Sequence, residues 1–414
     1  MKKIAFYSFV LFTLHTYAQP ANKHFLVFDS LAKRWDEAMP LGNGMLGALI
    51  WQKDDKLRIS LDRADLWDER DAIDFSKFNF KWVQQQVAKN DYDTVHRLGD
   101  DPYESFPYPT KIPAGALEFD ISKLGKIKAV SLDIATALCT VEFVNGVRFN
   151  NYIHATNNTG YFGFENLSSA ANMPELMIPN YTDATNDAAG NSVEGQGLKR
   201  LGYAKGIVTK TKNRILYHQP TTKNNYYEIL VQWQLLPGNR YIDQWIITNN
   251  KPASLPLLST TAKEPTGWEA HAKWWTNYWK QSSVSIPDEV LEKQYYLEMY
   301  KLGCVARKAS PAITLQAIWT ADNGSLPPWK GDFHHDLNTQ LSYWPSYTGN
   351  HLQEATTYTD WLWAVRAENK KFTKQYFEVD GLDVPGVTTI SGKAMGGWIQ
   401  YSLSPSTASW LAQH

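Results

Sequence analysis

The sequence predicts a multidomain β + α protein: an N-terminal antiparallel β-sandwich, then a helical linker, then a helical domain. From about Lys23 to Leu258, apolar and polar residues alternate in short runs separated by Gly, Asn and Pro. After Pro265 the apolar residues recur at three- and four-residue spacing. The 414 residues leave room for two or three ordinary domains.

The opening "MKKIAFYSFVLFTLHTYA" has Lys2 and Lys3, an apolar stretch from Ile4 to Leu14, and a small-residue exit at Thr16 and Ala18. It reads as a secretory signal peptide over residues 1–18, cleaved after Ala18, which makes the protein secreted or periplasmic. That apolar run is too short to span a bilayer and no later one is longer, so no membrane insertion is expected. The sandwich is assigned to 19–263. Its strands include "KLRISLDRADLW", "AKGIVTKTKNRILYH", "YYEILVQWQLLP" and "YIDQWIITN". In "VSLDIATALCTVEFVNGVRFNNYIHATNNTGYFGFENL" two alternating runs meet at Asn145-Gly146, a pair that favours tight hairpin turns. A helical insertion, "DAIDFSKFNFKWVQQQVAKNDYDTVHRLG", is carried by the sandwich. The linker, 264–288, holds "GWEAHAKWWTNYWKQS", and Pro287-Asp288-Glu289 is a good helix start for the domain at 289–414. The final "SWLAQH" falls inside an amphipathic pattern with no cap, so the helical domain is expected to be incomplete.

A net charge of -1 argues against nucleic-acid or anionic-membrane partners, which need a basic face. The 17 Trp, 22 Tyr and 17 Phe fit either an aromatic-rich core or a protein that packs flat rings against sugars. Cys139 lies in a strand-like segment and Cys304 in a helix-like one, so two unpaired, buried thiols are expected. "RWDEAMPLGNGMLGALIW" has Gly42, Asn43, Gly44 and Gly47 in one turn. A phosphate loop would need a helix and a Lys after it, whereas a β-like run follows, which favours a sandwich turn. No cofactor is expected.

The chemistry-bearing stretch is "AITLQAIWTADNGSLPPWKGDFHHDLNTQLSYWP". Gln316, Trp319 and Trp329 surround a Pro-Pro turn, and Asp332, His334, His335, Asp336, Asn338 and Gln340 follow before Trp344. A polar cluster fenced by tryptophans is the composition of a sugar-binding pocket. On a helix from about Asp336, Asp336 and Gln340 share a face; in an extended first turn, Asp336 and Asn338 do. Metal binding is the rival reading, but adjacent His334, His335 and Asp336 do not converge on one ion and no HExxH spacing supports them, so no metal is expected. The structural alternative is that Asp336 and Asn338 are an N-cap and first-turn pair of a helix. Inverting glycoside hydrolysis needs an acid and a base with room for water between them. Glu354, Asp360, Asp380 and Asp383 read instead as solvated surface acids.

"MPLGNGMLGALIW" followed by "ISLDRADLWD", "SLDIATALCTVEFVNGVRF", "LQAIWTADNGSLPPWKGDFHHDLNTQLSYWP" and "SWLAQH" resemble, in order, motifs of glycoside hydrolase family 95. That family's most specific stretch reads Leu-Gln-Gly-Ile-Trp, Pro-Pro-Trp, then Asn-x-Asn-Thr-x-x-Asn-Tyr-Trp-Pro. The resemblance implies a β-sandwich, a helical linker and an (α/α)6 barrel, here only its start. It also implies an inverting α-L-fucosidase or a related L-sugar hydrolase acting on oligo- or polysaccharides. Asp336 and Asn338 would then hold the catalytic water, and Gln316, Trp319, Trp329, His334, His335 and Trp344 would bind substrate. Asp336 stands where the family has its first asparagine, so it would accept a proton from water itself or mark another substrate class. The family's acidic glutamate would fall beyond His414. Helices of an incomplete ring would expose apolar faces. The alternatives are another (α/α)6 carbohydrate enzyme and a non-catalytic glycan-binding protein. A phosphorolytic relative would need a cationic pocket, and the cluster around Asp336 offers no Arg. The oligomeric state is open.

Overall fold

The computed structural model describes residues 19–167, 173–183, 191–256, 258 and 267–414, so the expected signal peptide lies outside the described residues. In chain order the strands begin with β1 (Leu26–Phe28), β2 (Met39–Gly42), β3 (Leu46–Lys53), β4 (Lys56–Arg63), β5 (Trp67–Asp68) and β6 (Thr110–Lys111). Then come β7 (Gly115–Asp120), β8 (Ile127–Asp133), β9 (Leu138–Phe143), β10 (Arg148–Ile153), β11 (Gly160–Glu165) and β12 (Glu175–Met177). The last are β13 (Ile207–Thr211), β14 (Arg214–Pro220), β15 (Tyr226–Leu236), β16 (Arg240–Asn249), β17 (Phe333–His334) and β18 (Val387–Thr388).

Two large antiparallel sheets form the N-terminal half. One runs β1-β8-β9-β10-β11-β16-β15-β14-β13 and the other β12-β7-β4-β3-β2. They face each other through aromatic side chains that the alternating pattern turns inward. Phe119 of β7 lies with its ring 5.2 Å from Phe149, 5.4 Å from Phe162 and 5.4 Å from Phe164 of the other sheet. The hairpin expected at Asn145-Gly146 joins β9 to β10, with Gly146 at φ 87. Between β5 and β6 the chain inserts α1 (Phe80–Ala88), α2 (Tyr92–Gly99) and α3 (Asp101–Ser105), and α4 (Ile121–Leu124) follows β7.

The C-terminal half is helical: α5 (Trp268–Trp279), α6 (Glu289–Val305), α7 (Asn338–Thr348), α8 (Leu352–Phe372), α9 (Ile399–Ser402) and α10 (Thr407–Leu411). Asp288 starts α6 as its residue type suggests, accepting hydrogen bonds from Val290 N and Leu291 N. Tyr278, Trp279, Tyr296, Tyr300 and Tyr343 are buried in a core that is continuous with the sandwich core. Cys139 and Cys304 are both buried and unpaired. Leu337 at the cap of α7, and Leu341 and Trp344 within it, are 44%, 44% and 38% exposed, an uncovered apolar side of this helix and its start. Among the described residues no helix is long and apolar enough to cross a membrane.

The glycine-rich turn is where the two halves touch. A Cβ on Gly47 would lie 1.8 Å from Ile318 O, and one on Gly42 would lie 2.2 Å from Ile318 Cδ1. Gly44 N donates to Cys304 O at 2.6 Å, just before the end of α6. Asn43 fixes the turn: its Oδ1 accepts from Leu46 N at 2.8 Å and its Nδ2 donates to His154 O at 2.9 Å. Beside this seam Asp62 is enclosed, taking Lys111 Nζ at 2.6 Å on one oxygen and Thr320 Oγ1 at 2.7 Å on the other. Arg58 grips Asp322 with two bonds of 2.6 and 2.7 Å, a fork-to-carboxylate contact. These contacts anchor the segment 313–322, and so the start of the chemistry-bearing stretch, to the sandwich.

Candidate functional site

Two prolines and a strained turn begin the site. Trp329, Lys330 and Gly331 have φ 54, 57 and 64, three successive left-handed residues of which only one is glycine. The turn is held from the sandwich side. Trp329 N donates to Ser192 O at 2.6 Å, Ser192 N donates to Glu104 Oε2 at 2.9 Å, and Thr110 Oγ1 donates to Lys330 O at 3.3 Å. Lys330 is buried with its Nζ on Phe106 O at 2.8 Å and 4.4 Å from the Tyr103 ring. Burial brings its ammonium down to about 7, against the opposing pull of Glu104 and Asp332.

After the turn the chain becomes the short strand β17, paired with β18 as Phe333↔Thr388 and His334↔Val387. Side chains alternate along an extended strand. Phe333 and His335 point into the core, and Asp332, His334 and Asp336 point the other way. His334 Nδ1 is 2.8 Å from Asp332 Oδ1, and His334 Nε2 is 3.9 Å from Asp336 Oδ1. Asp332 is wholly buried and also accepts from Tyr103 Oη at 3.2 Å. Burial raises the Asp332 carboxyl, with His334 and Tyr103 acting against the rise. For His334, burial favours the neutral ring, but the hydrogen bond and charge of Asp332, with the charge of Asp336, outweigh it and raise the imidazolium. The pair therefore holds its proton to higher pH than a free imidazole would. Trp329 meets His334 edge-on at 5.8 Å and lies 4.7 Å from Trp398, which in turn lies 5.6 Å from Tyr103.

Of the expected site residues, Trp329, His334 and Asp336 come together here. Asn338, two residues beyond Asp336, is the first residue of α7, and both are exposed. Of the capping alternative, Asn338 does stand in the first turn, but Asp336 as the cap is corrected: Leu337 occupies the cap position with no side-chain cap bond. His335 is also corrected as a wall of the pocket. It is fully buried, with Nδ1 2.9 Å from Tyr358 Oη and Nε2 3.1 Å from Thr388 Oγ1, and burial lowers it to about 3. Trp319 spends its N–H on Leu41 O at 2.9 Å, in the seam with the sandwich. Gln316 accepts from Ala321 N at 3.0 Å and so braces its own loop. Trp344 sits on the uncovered face of α7. Among the acids read as solvated, Glu354 and Asp383 are buried instead, Asp383 accepting from Ala408 N at 3.2 Å, while Asp360 and Asp380 are exposed.

Tyr103, Lys330 and Trp398 were not singled out from the sequence. Asp332 was seen in the cluster without a role, though the period-two spacing of 332, 334 and 336 was a readable signal. Tyr103 arrives from the insertion and Trp398 from a distant loop, so neither carries a local signal. Among the described residues no group of three or more His, Cys, Asp or Glu side chains is placed to hold a metal ion. A separate cleft of about 630 Å³ lies between the 65–71 segment, the 221–227 and 249–250 loops, Ile390 and Lys393.

Residues 262–414 match the model of the glycosyl hydrolase family 95 catalytic domain, and residues 16–219 match that of the glycosyl hydrolase family 65 N-terminal domain. Alpha-L-fucosidase 2 of Arabidopsis thaliana is 27% identical over 127 residues, 30% of this chain and 15% of that protein. Probable alpha-fucosidase A of Aspergillus niger is 21% identical over 448 residues, 91% of this chain and 55% of that protein. The chain thus spans about half the length of the fungal relative, and the plant match covers a smaller share.

Proposed function

We propose, from the premise that the chain is glycosyl-hydrolase-family-95-like in sequence, that it works in a secreted glycoside hydrolase releasing terminal α-L-fucose or a related L-sugar with inversion. The helical half is read as the start of an (α/α)6 barrel, and Asp336 and Asn338 as the water side of its active centre.

One observation supports this reading most. Asp336 and Asn338 reach solvent at the beginning of α7, while the residue behind them, His334, is fixed by a buried carboxylate. In the proposed step a water oxygen attacks the anomeric carbon as the bond to the leaving oxygen breaks. Asp336 takes the water proton, Asn338 orients the water, and a carboxylic acid elsewhere protonates the leaving oxygen. His334, held by Asp332, places its other ring nitrogen 3.9 Å from Asp336 Oδ1 and so positions that carboxylate beside the water. Trp329 and Trp398 offer aromatic faces to the sugar ring.

The test is hydrolysis of an aryl α-L-fucoside by the full-length gene product, with product anomers followed by NMR. Turnover giving the inverted anomer, lost in Asp336→Ala and Asn338→Ala, supports the reading; turnover untouched by both variants sinks it. A different sugar specificity in the same class of enzyme is the second reading, favoured by Asp336 standing where the family has asparagine. Activity on other L- or D-glycosides but not on fucosides would select it.

A further inference from the structure

Arg307 lies two residues past the end of α6 and is buried in the seam between the two halves, yet Nε, Nη1 and Nη2 have no hydrogen-bond partner among the described residues. Its guanidinium carbon lies 3.1 Å from the centre of the Trp274 ring and 5.2 Å from that of Trp275. Stacking of this kind satisfies the face of the cation. It leaves the N–H groups unused, because they radiate in the guanidinium plane. A buried donor set of this size is costly to leave unpaired. Burial lowers the group to about 9, so it remains cationic at neutral pH.

The side chain lines a cavity of about 340 Å³ with Asn43, Trp274, Lys308, Ser310 and Glu354. That volume falls in the usual range of small-ligand sites, roughly 300–1,000 Å³. Lys308 is exposed and adds a second positive charge. Glu354 is the opposing charge on the wall; it lies 3.5 Å from His351 Nδ1 and makes no ion pair with Arg307. Glu354 opens α8, past the end of α7 opposite to Asn338. Helix α7, with 11 residues at ~1.5 Å each, is about 16 Å long.

We infer that this cavity binds a single oxyanion, a carboxylate or a sulfate, on the in-plane fork of Arg307. A planar guanidinium pairs such groups through two parallel N–H···O bonds, which meets the need that stacking leaves open. The anion comes either as a free inorganic ion or as the acidic group of a sugar.

Isothermal titration of the purified protein with sodium sulfate and with sodium glucuronate, at constant ionic strength in chloride, tests the inference. Saturable binding of at least one is expected, weakened roughly tenfold or more in Arg307→Gln. Glucuronate bound more tightly than sulfate assigns the site to an acidic sugar, and sulfate bound as tightly or more tightly assigns it to an inorganic ion. No saturable binding of either overturns the site, as does unchanged affinity in a folded Arg307→Gln. If that variant does not fold, Lys308→Gln and Ser310→Ala decide: weaker binding in either supports the site, and unchanged affinity in both overturns it.

Discussion

His334 Nδ1 lies 2.8 Å from a carboxylate oxygen of Asp332 that no solvent reaches. The relationship ties a half-buried ring at the site to an anion it cannot escape. Its consequence is electrostatic. The His334 imidazolium is raised above its ordinary 6.5, so in the folded protein the proton leaves later than in the unfolded chain. A raised folded value contributes stability in full below the unfolded value and loses it as pH rises through the folded one. NMR titration of the histidine ring should therefore show a midpoint above 6.5 in the wild type. In Asp332→Asn the midpoint should drop below the wild-type value, because burial then acts with less opposition. An unchanged midpoint would contradict the pairing.

The seam glycines should be unequal. Gly47→Ala drives a methyl into the backbone oxygen of Ile318, whereas Gly42→Ala meets first the movable end of the Ile318 side chain. Overpacking costs about 1–3 kcal/mol and more where backbone must shift. Urea unfolding should rank Gly47→Ala as the more destabilised of the two. Equal midpoints would show that the halves do not meet through this turn.

Asp62 and Lys111 are both enclosed, 2.6 Å apart. Removing one member leaves the other buried and uncompensated, a loss of roughly 3–5 kcal/mol. Lys111→Met alone should lose about that much in denaturant unfolding, and the pair Asp62→Leu with Lys111→Met should lose less than the sum of the singles. Strict additivity would show that the contact carries no coupling.

Asp243 of β16 is fully buried with neither oxygen bonded among the described residues, and burial raises its carboxyl far above the usual range. For an acid raised in this way, the unfolded chain ionises first, so the folded state loses stability as pH climbs above about 4. Each unit of difference is worth about 1.4 kcal/mol. Asp243→Asn should thus raise the Tm at pH 7 and leave it nearly unchanged at pH 3.5. A lower Tm at pH 7 would contradict the account.

The sandwich was largely legible from the sequence because strand alternation and the Asn145-Gly146 turn are local signals. So was the helix start at Asp288, whose side chain caps the amides just after it. The separation of His334 from His335 was legible too in principle, once the segment is read as extended. It was missed because a helix was expected to begin near Asp336, and the left-handed turn at Trp329 and Lys330 carries no glycine until Gly331. Tyr103 and Trp398 lie 229 and 66 positions from Asp332 and nothing near them announces the site. Gly47 illustrates the opposite case: a motif that looked like turn chemistry is set by the approach of Ile318, a partner 271 residues away.

The central claim is that Asp336 takes a proton from the attacking water while Asn338 holds it. The most direct measurement is the rate of aryl α-L-fucoside hydrolysis by the full-length gene product carrying Asp336→Asn, which restores the family's Asn-x-Asn pattern, beside Asp336→Ala and Asn338→Ala. Removing a positioned base lowers turnover by typically 10²–10⁴-fold. The account predicts losses of that order in both alanine variants and in Asp336→Asn, whose amide cannot take the proton. Wild-type rates in all three would contradict it.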